Sequence, residues 1–440
     1  MPESPSKKLD RYNFRAKLPK YVRIGAVAVL CFTMLAIGIG YYRAKSNSEF
    51  RMVGFPTELS KDVVASVNGY ERTEYEGESP VYVIKADKAT TYSDNHQELE
   101  NVQLQVYDET GQSDEITASK AVYVPEENKN FTAYFAGDVN IATRDQLKLN
   151  TEQVTYSKAA NTVAAEEAVR FQRLNLNGTS FGAIARIAEK RVELNRDVRL
   201  NIQSGDGGTS TVNAGYARYD QHSEKIDFEQ GVRMEMASAY GPDKSNLQSG
   251  RMSVSMSTNG QMREVYRVDL SDSAYFETTK NGKLYKAQSG SAVYVKPNER
   301  LELAGGVTIE TADAASPFSI TAGNAVFERA VGRVTLTGNS QVTRGSDLIK
   351  GERLTANFRA DNSIENVEIE GTGYIKQSRP EDTTEVSSGK LLAVFAEDGS
   401  LRRADTFGPS ELRQSPTNQA DGSFTVVSAG ASHSVFRGPG

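Results

Sequence analysis

From Pro80 to the C-terminus, apolar and polar residues alternate one by one in short runs broken by turn residues, and the runs recur as copies of one motif. A period of two puts every second side chain on the same side, which a strand with one buried face does and a helix does not. Asn101-Val102-Gln103-Leu104-Gln105-Val106 alternates strictly, and Phe131 to Phe135 and Val198 to Ile202 follow the same rule. Turns are marked by Asp108-Glu109-Thr110-Gly111, Asn128-Lys129-Asn130, Asn259-Gly260, Asn281-Gly282 and Asp398-Gly399. The fold class is therefore all-β.

A longer unit overlies the alternation: Ile-x-Ala-x-x-Ala-x-aromatic, a polar turn, then apolar-x-Gly-x-Val. The clearest copy is Ile116, Ala118, Ala121 and Tyr123, followed by Phe135, Gly137 and Val139. Others run through Ala217, Tyr219, Phe228 and Gly231, through Ala292, Tyr294, Leu303 and Gly306, and through Ala325, Phe327, Leu336 and Gly338. The aromatics at 123 and 156, and at 294 and 327, are each 33 residues apart. Units of this length that rest on their neighbours build a quasi-one-dimensional array. Helical repeats of similar period need i, i+3, i+4 apolar stripes, which these units lack.

Ahead of the array, Ile24 to Tyr42 carry no charge, about the length a helix needs to cross a hydrocarbon core of ~30 Å. Seven basic residues, Lys7, Lys8, Arg11, Arg15, Lys17, Lys20 and Arg23, precede it against only Glu3 and Asp10. That bias keeps the N-terminus in the cytoplasm and exports the rest. A cleaved signal peptide has a shorter apolar core ending in small residues, whereas Tyr41, Tyr42 and Arg43 follow this one. The expected organisation is a basic tail over 1–23, a transmembrane helix over 24–42, a connector over 43–77, a first β section over 78–203 and a second over 204–440. Within the connector, Glu58 to Val67 is expected to form a short helix.

Composition excludes several function classes. The net charge of −6 with no basic stripe after the anchor argues against nucleic acid. The lone cysteine, Cys31, lies in the anchor, so no disulfide is expected in the exported body. Three scattered histidines (His96, His222, His433) give no metal-ligand spacing, and no phosphate-binding loop occurs; no cofactor or metal is expected. Gly178-Thr179-Ser180-Phe181-Gly182 spells the nucleophile-elbow pattern of hydrolases, but no buried parallel strand precedes it and no helix follows. It reads as a turn between strands, and the chain as a non-enzyme.

The order of motifs resembles the LptC family, the membrane-anchored periplasmic component of lipopolysaccharide export. Tyr82-x-Ile84-x-Ala86-x-x-Ala89, Leu99 to Val102, Ile116 to Tyr123, Phe135 to Val139, Leu149 to Tyr156 and Leu176 to Gly182 stand in family order behind the anchor. The remainder, from Thr209, is similar to LptA and its relatives. The resemblance implies an open antiparallel β-jellyroll with a V-shaped groove for acyl chains. It implies a bridge that takes lipopolysaccharide from inner-membrane ABC transporter subunits toward the outer membrane, with its body in the periplasm. Shielding a chain of about a dozen methylenes at ~0.8 kcal/mol each calls for roughly 10 kcal/mol of apolar contact, more than scattered pockets supply. The expected lining is Tyr82, Ile84, Val102, Leu104, Val106, Ile116, Ala118, Phe135, Val139, Ile141, Leu147, Leu149, Val198 and Leu200.

An open array also exposes unpaired backbone at its ends. Phe424, Val426, Val427, Val435 and Phe436, with no charge or proline among them, are expected to form terminal strands that dock an LptA-like bridge protein by strand addition. Two other readings compete: a structural envelope scaffold without lipid cargo, and a parallel β-helix enzyme acting on polysaccharide, which needs acids stacked at one phase of the repeat.

Overall fold

The computed structural model describes residues 60–437, apart from 109, 206, 238–243, 260–261, 281–282, 312–317, 362, 381, 417–424 and 431–432. The expected transmembrane helix at 24–42 lies outside the described residues, as does Phe424. Among the described residues no helix is long and apolar enough to cross a membrane.

The described chain is a single sheet of twenty-nine strands, and every pairing among them is antiparallel. That excludes a parallel β-helix for these residues. Long strands come first: β1 (Val63–Glu76), β2 (Ser79–Tyr92), β3 (Gln97–Tyr107), β4 (Ser113–Pro125), β5 (Phe131–Ala142), β6 (Leu147–Ser157), β7 (Thr162–Arg173) and β8 (Leu176–Arg186). Short strands fill the middle: β9 (Arg191–Leu194), β10 (Val198–Gln203), β11 (Thr209–Ala214), β12 (Tyr216–Asp220), β13 (Lys225–Glu229) and β14 (Val232–Ala237). They continue with β15 (Lys244–Ser249), β16 (Arg251–Asn259), β17 (Met262–Ser271), β18 (Ala274–Lys280), β19 (Lys283–Ser289) and β20 (Ser291–Val295). Long strands return as β21 (Arg300–Thr311), β22 (Phe318–Glu328), β23 (Arg333–Arg344), β24 (Asp347–Phe358), β25 (Ile364–Ser378), β26 (Asp382–Phe395) and β27 (Leu401–Pro416), before β28 (Thr425–Ala429) and β29 (His433–Arg437) close the array.

The pairings resolve this sheet into two walls. In the middle, one ladder runs β8–β10–β11–β14–β15–β18–β19–β21, and a second runs β8–β9–β12–β13–β16–β17–β20–β21. We call them wall I and wall II. Both ladders start on β8 and end on β21, so each long strand contributes one half to each wall and bends between them. The bends are the places where register slips: Thr117/Lys120 in β4, Ala136/Val139 in β5, Ala165/Ala168 in β7, Ala304/Val307 in β21 and Thr337/Ser340 in β23. The arrangement is consistent with a β-jellyroll.

The bends explain the repeat. In Ile116-x-Ala118-x-x-Ala121-x-Tyr123 the first pair lies on wall I and the second on wall II, and the extra residue of the bulge lies in the partner strand β5, between Ala136 and Val139. The motif glycines stand at the return bends: Gly137, Gly231, Gly306 and Gly338 all have φ near +80°. Only glycine adopts that conformation without steric cost. These glycines turn the chain.

Two further expectations change. Residues 63–76, assigned to the connector and partly to a helix, form strand β1 paired along its whole length with β2. Leu59, Val63 and Val67 have helical spacing, but Val63, Val64 and Val67 are β-branched and an open sheet edge is available to them. The ladder also shows no break at 203/204: β10 and β11 pair through all six residues on either side of that turn.

Candidate functional site

Strands that alternate and bend place their buried side chains between the walls, and one contiguous apolar cluster runs from Tyr82 to Ala404. Wall I contributes Tyr82, Ile84, Val102, Leu104, Ile116, Ala118, Val139, Ile141, Leu149, Val198 and Leu200, all buried, together with the partly buried Val106 and Leu147. Phe135, from the same expected lining, is buried on wall II. The structure thus gathers all fourteen on the inner face, thirteen of them on one wall. What alternation does not disclose is the facing wall: Leu99, Ala121, Tyr123, Phe131, Val154 and Tyr156. Their signal lay in the Ala-x-x-Ala phase change, which swaps walls without swapping faces.

The interior is not uniform. In β2 to β6 the walls touch. Tyr82 of wall I packs edge-on against Phe131 of wall II with ring centroids 4.9 Å apart, and Phe131 in turn meets Tyr123 at 5.0 Å and Tyr156 at 5.5 Å. Edge-to-face pairs of this kind contribute about 0.5–1.5 kcal/mol each beyond their burial. Burial raises the Tyr82 phenol well above its ordinary value, helped by its hydrogen bond to Tyr123, and burial pushes Tyr156 up to about 12.

Farther along, the walls separate in two places. A small apolar cavity of about 60 Å³ is lined by Leu147, Leu149, Phe171, Leu176, Leu194 and Phe228, among others. A larger one of about 500 Å³ lies between Met234, Met236 and Leu247 of wall I and Val265, Leu270 and Leu303 of wall II. Its volume falls in the range of ~300–1,000 Å³ usual for sites that enclose small apolar ligands. Two methionines give its wall a surface that can reshape around an irregular apolar guest.

Charged side chains meet between the cavities. Arg173 at the end of β7 donates to the Tyr219 hydroxyl at 2.6 Å and pairs with Asp145 at 2.9 Å. Arg263, only 4% exposed, donates to the same hydroxyl and to both oxygens of Glu224. Burial holds the Tyr219 phenol above its ordinary value, against the pull of both guanidiniums.

The hydrolase-like pattern at 178–182 carries no catalytic geometry. It is not a turn between strands but the middle of β8. Gly178 makes room for Phe171, whose ring a Cβ would meet at 2.5 Å, and Gly182 takes a φ of +84° at the bend. Ser180 is buried and donates to the Gly182 carbonyl at 3.2 Å; among the described residues no histidine bonds to it. His222 lies in the turn after β12, its N–H bonded to Asp220.

Each end of the array is an edge. At the N-terminal end, among the described residues, β1 pairs only with β2, and Val63, Val64, Val67 and Tyr75 are exposed. At the other, β28 continues wall I and β29 continues wall II, both from β27. Val426, Val427 and Val435 on them are exposed, as expected of terminal strands, and Phe436 lies in β29.

Residues 28–203 match the family model described as lipopolysaccharide-assembly, LptC-related, and residues 319–399 match that of the LptA/(LptD N-terminal domain) LPS transport protein. No curated protein matches the chain. The chain therefore joins an LptC-related part to an LptA-like part, as the order of its motifs indicates. The large cavity and the cluster around Arg263 lie mostly in the stretch between the two matched ranges.

Proposed function

We propose that this protein is a non-enzymatic lipid bridge, anchored in the inner membrane by residues 24–42 with its body in the periplasm. Its V-shaped interior shields lipopolysaccharide acyl chains handed over by ABC transporter subunits and passes them toward the outer membrane. The observation that carries this reading is the unbroken apolar face shared by two walls from β2 to β27, which widens to a cavity of about 500 Å³. The family matches name lipopolysaccharide assembly and transport at both ends of that face. The edges β28 and β29 are the docking surface for an LptA-like partner by strand addition.

One observation favours a dry scaffold instead: the first section is filled by its own aromatics, with Phe131 fully buried. A photo-crosslinking residue separates the two readings. Placed at Leu104, on the inner face, it should capture lipopolysaccharide; placed at the neighbouring Gln103, which bonds to Glu115 on the outer face, it should not. Equal labelling, or none at either position, would remove the lipid reading. Deletion of 423–440 should abolish partner binding while leaving capture at 104 intact, and unchanged partner affinity would place the docking edge elsewhere.

A further inference from the structure

Each wall has two borders. One is the line of bends it shares with the other wall; the other is a free rim made of hairpin turns. The β5–β6, β7–β8 and β10–β11 hairpins end at the rim of wall I, and the β8–β9, β12–β13 and β16–β17 hairpins at the rim of wall II. A groove of this build is open along its rims unless something crosses from one to the other.

Here something crosses. Asn175, on the wall I rim, donates through Nδ2 to the Arg263 carbonyl at 2.8 Å, and its Oδ1 accepts the Arg263 N–H at 2.9 Å. Asn175 Nδ2 also donates to the Gln203 carbonyl at 2.7 Å, tying two wall I turns to one wall II hairpin. Beside this link the Tyr219 hydroxyl of wall II accepts from Arg173 of wall I and from Arg263. Both guanidiniums also lie over the Tyr219 ring at 5.6 Å. Asp145 fixes Arg173 from its own rim, and Glu224 fixes Arg263 from the other.

The cluster stands at the junction of the two cavities. Arg173 and Tyr219 line the small one, whereas Ser204 and Val265, next in sequence to the clasped hairpins, line the large one. Its parentage is mixed: Asp145, Arg173 and Asn175 lie within the LptC-related range, while Tyr219, Glu224 and Arg263 lie outside both matched ranges.

The energetics do not suit a mere strut. The Arg263 guanidinium is buried against a partly exposed Glu224; burying a charge in a pair offsets desolvation poorly compared with apolar packing, and the best attested use of such a pair is to select between arrangements. Arg263 is buried with its Nε unpartnered among the described residues, a further cost to the closed arrangement. All the rim-to-rim bonds here come from side chains, so they break without disturbing either ladder.

We infer that Asn175, Arg173, Tyr219, Glu224 and Arg263 form a gate across the mouth of the groove, closed in this structure, which opens to let a lipid pass from the LptC-related section into the large cavity. The gate rests on the lipid-bridge reading and adds to it a single controlled point of passage. It draws on the LptC-related range and on the stretch that follows it, and neither supplies it alone.

The test uses the full chain in its own membrane, with lipopolysaccharide adducts measured by mass spectrometry. A photo-crosslinking residue stands at Leu104, before the gate, or at Met234, beyond it. The Asn175 amide bonds to both main-chain groups of Arg263, so a cysteine pair at the two positions is used to lock the clasp. In N175C/R263C with Cys31→Ser, oxidation should lower capture at 234 by on the order of tenfold while capture at 104 stays unchanged. Reduction should restore it. Passage to 234 undiminished in the oxidised form would overturn the gate. Tyr219→Phe gives an independent arm: it removes the acceptor shared by both guanidiniums and keeps the ring. It should raise the 234-to-104 adduct ratio several-fold, and an unchanged ratio would also overturn the gate. Loss of capture at 104 in the unaltered chain is a different result, and it would fall on the lipid reading itself.

Discussion

The first section and the middle of this array share one architecture and fill it differently. In β2 to β6, Tyr82, Tyr123, Phe131 and Tyr156 bring the walls into direct contact. In β11 to β21 the facing positions carry Met234, Met236, Ala287, Leu303 and small hydroxyls such as Ser210 and Ser245, and a cavity of about 500 Å³ remains. Backbone pairing is equally complete in both. In a repeat array the ladder holds the walls, so side chains between them are free to vary in bulk. A filled segment gains packing energy; a hollow one gives up some of it and can receive a guest.

The largest effect should separate the two regions outright. Phe131→Ala removes the ring that three other aromatics touch and should cost about 3–5 kcal/mol, whereas Met234→Ala enlarges a space that already exists and should cost about 2 kcal/mol. Urea unfolding of the purified chain reads both, and equal costs would mean that the middle is as densely packed as the start. Overpacking runs the contrast in reverse. Ala121→Leu, at a fully buried position in the filled section, should destabilise by about 1–3 kcal/mol, while Ala287→Leu has the cavity to grow into and should be close to neutral. The second variant should also lose lipid capture at 234, which ties the hollow to its use.

Smaller effects concern the bends. At Gly231, φ is +79° with nothing within 4 Å of an added Cβ, so Gly231→Ala should cost about 1 kcal/mol from backbone conformation alone. At Gly338, φ is +81° and a Cβ would meet the Gly323 backbone at 3.2 Å, so Gly338→Ala should cost more, by a difference thermal melting resolves. Equal shifts would show that the two bends are equally open. The smallest effect is visible only in alkali. Tyr156 titrates at about 12 in the fold against about 10 in an unfolded chain, so the fold favours the protonated phenol. Its contribution is complete below about pH 10 and is lost as pH rises toward the folded value. Tyr156→Phe should therefore be nearly silent at pH 7 and should blunt the loss of stability between pH 10 and 12, measured by denaturant titration at each pH. An equally steep alkaline loss in the variant would assign it to other tyrosines.

Much of the fold was legible because it depends on local periods. Alternation at Val102-x-Leu104-x-Val106 places three side chains inward whatever they face, and left-handed glycines mark the bends of β5, β8, β21 and β23. The segment Val63 to Glu76 was not legible as a strand, because its polar stretch carries no inward stripe; an available partner, β2, decided it. The lining was half legible. Leu104 and Ile116 announced themselves, but Tyr123 and Phe131 required knowing that Ala118-x-x-Ala121 marks a change of wall.

Sequence alone therefore determined the all-β class, the inward face and the resemblance at both ends of the chain, since each rests on neighbours within a few residues or on motif order. Tertiary structure alone decided how far apart the walls stand, where they touch and where a clasp joins their rims. Asn175 and Arg263 are 88 residues apart, and nothing in the period of either strand foretells that contact. The spacing of two walls is set by the summed bulk of side chains from distant strands, a quantity that no local pattern contains.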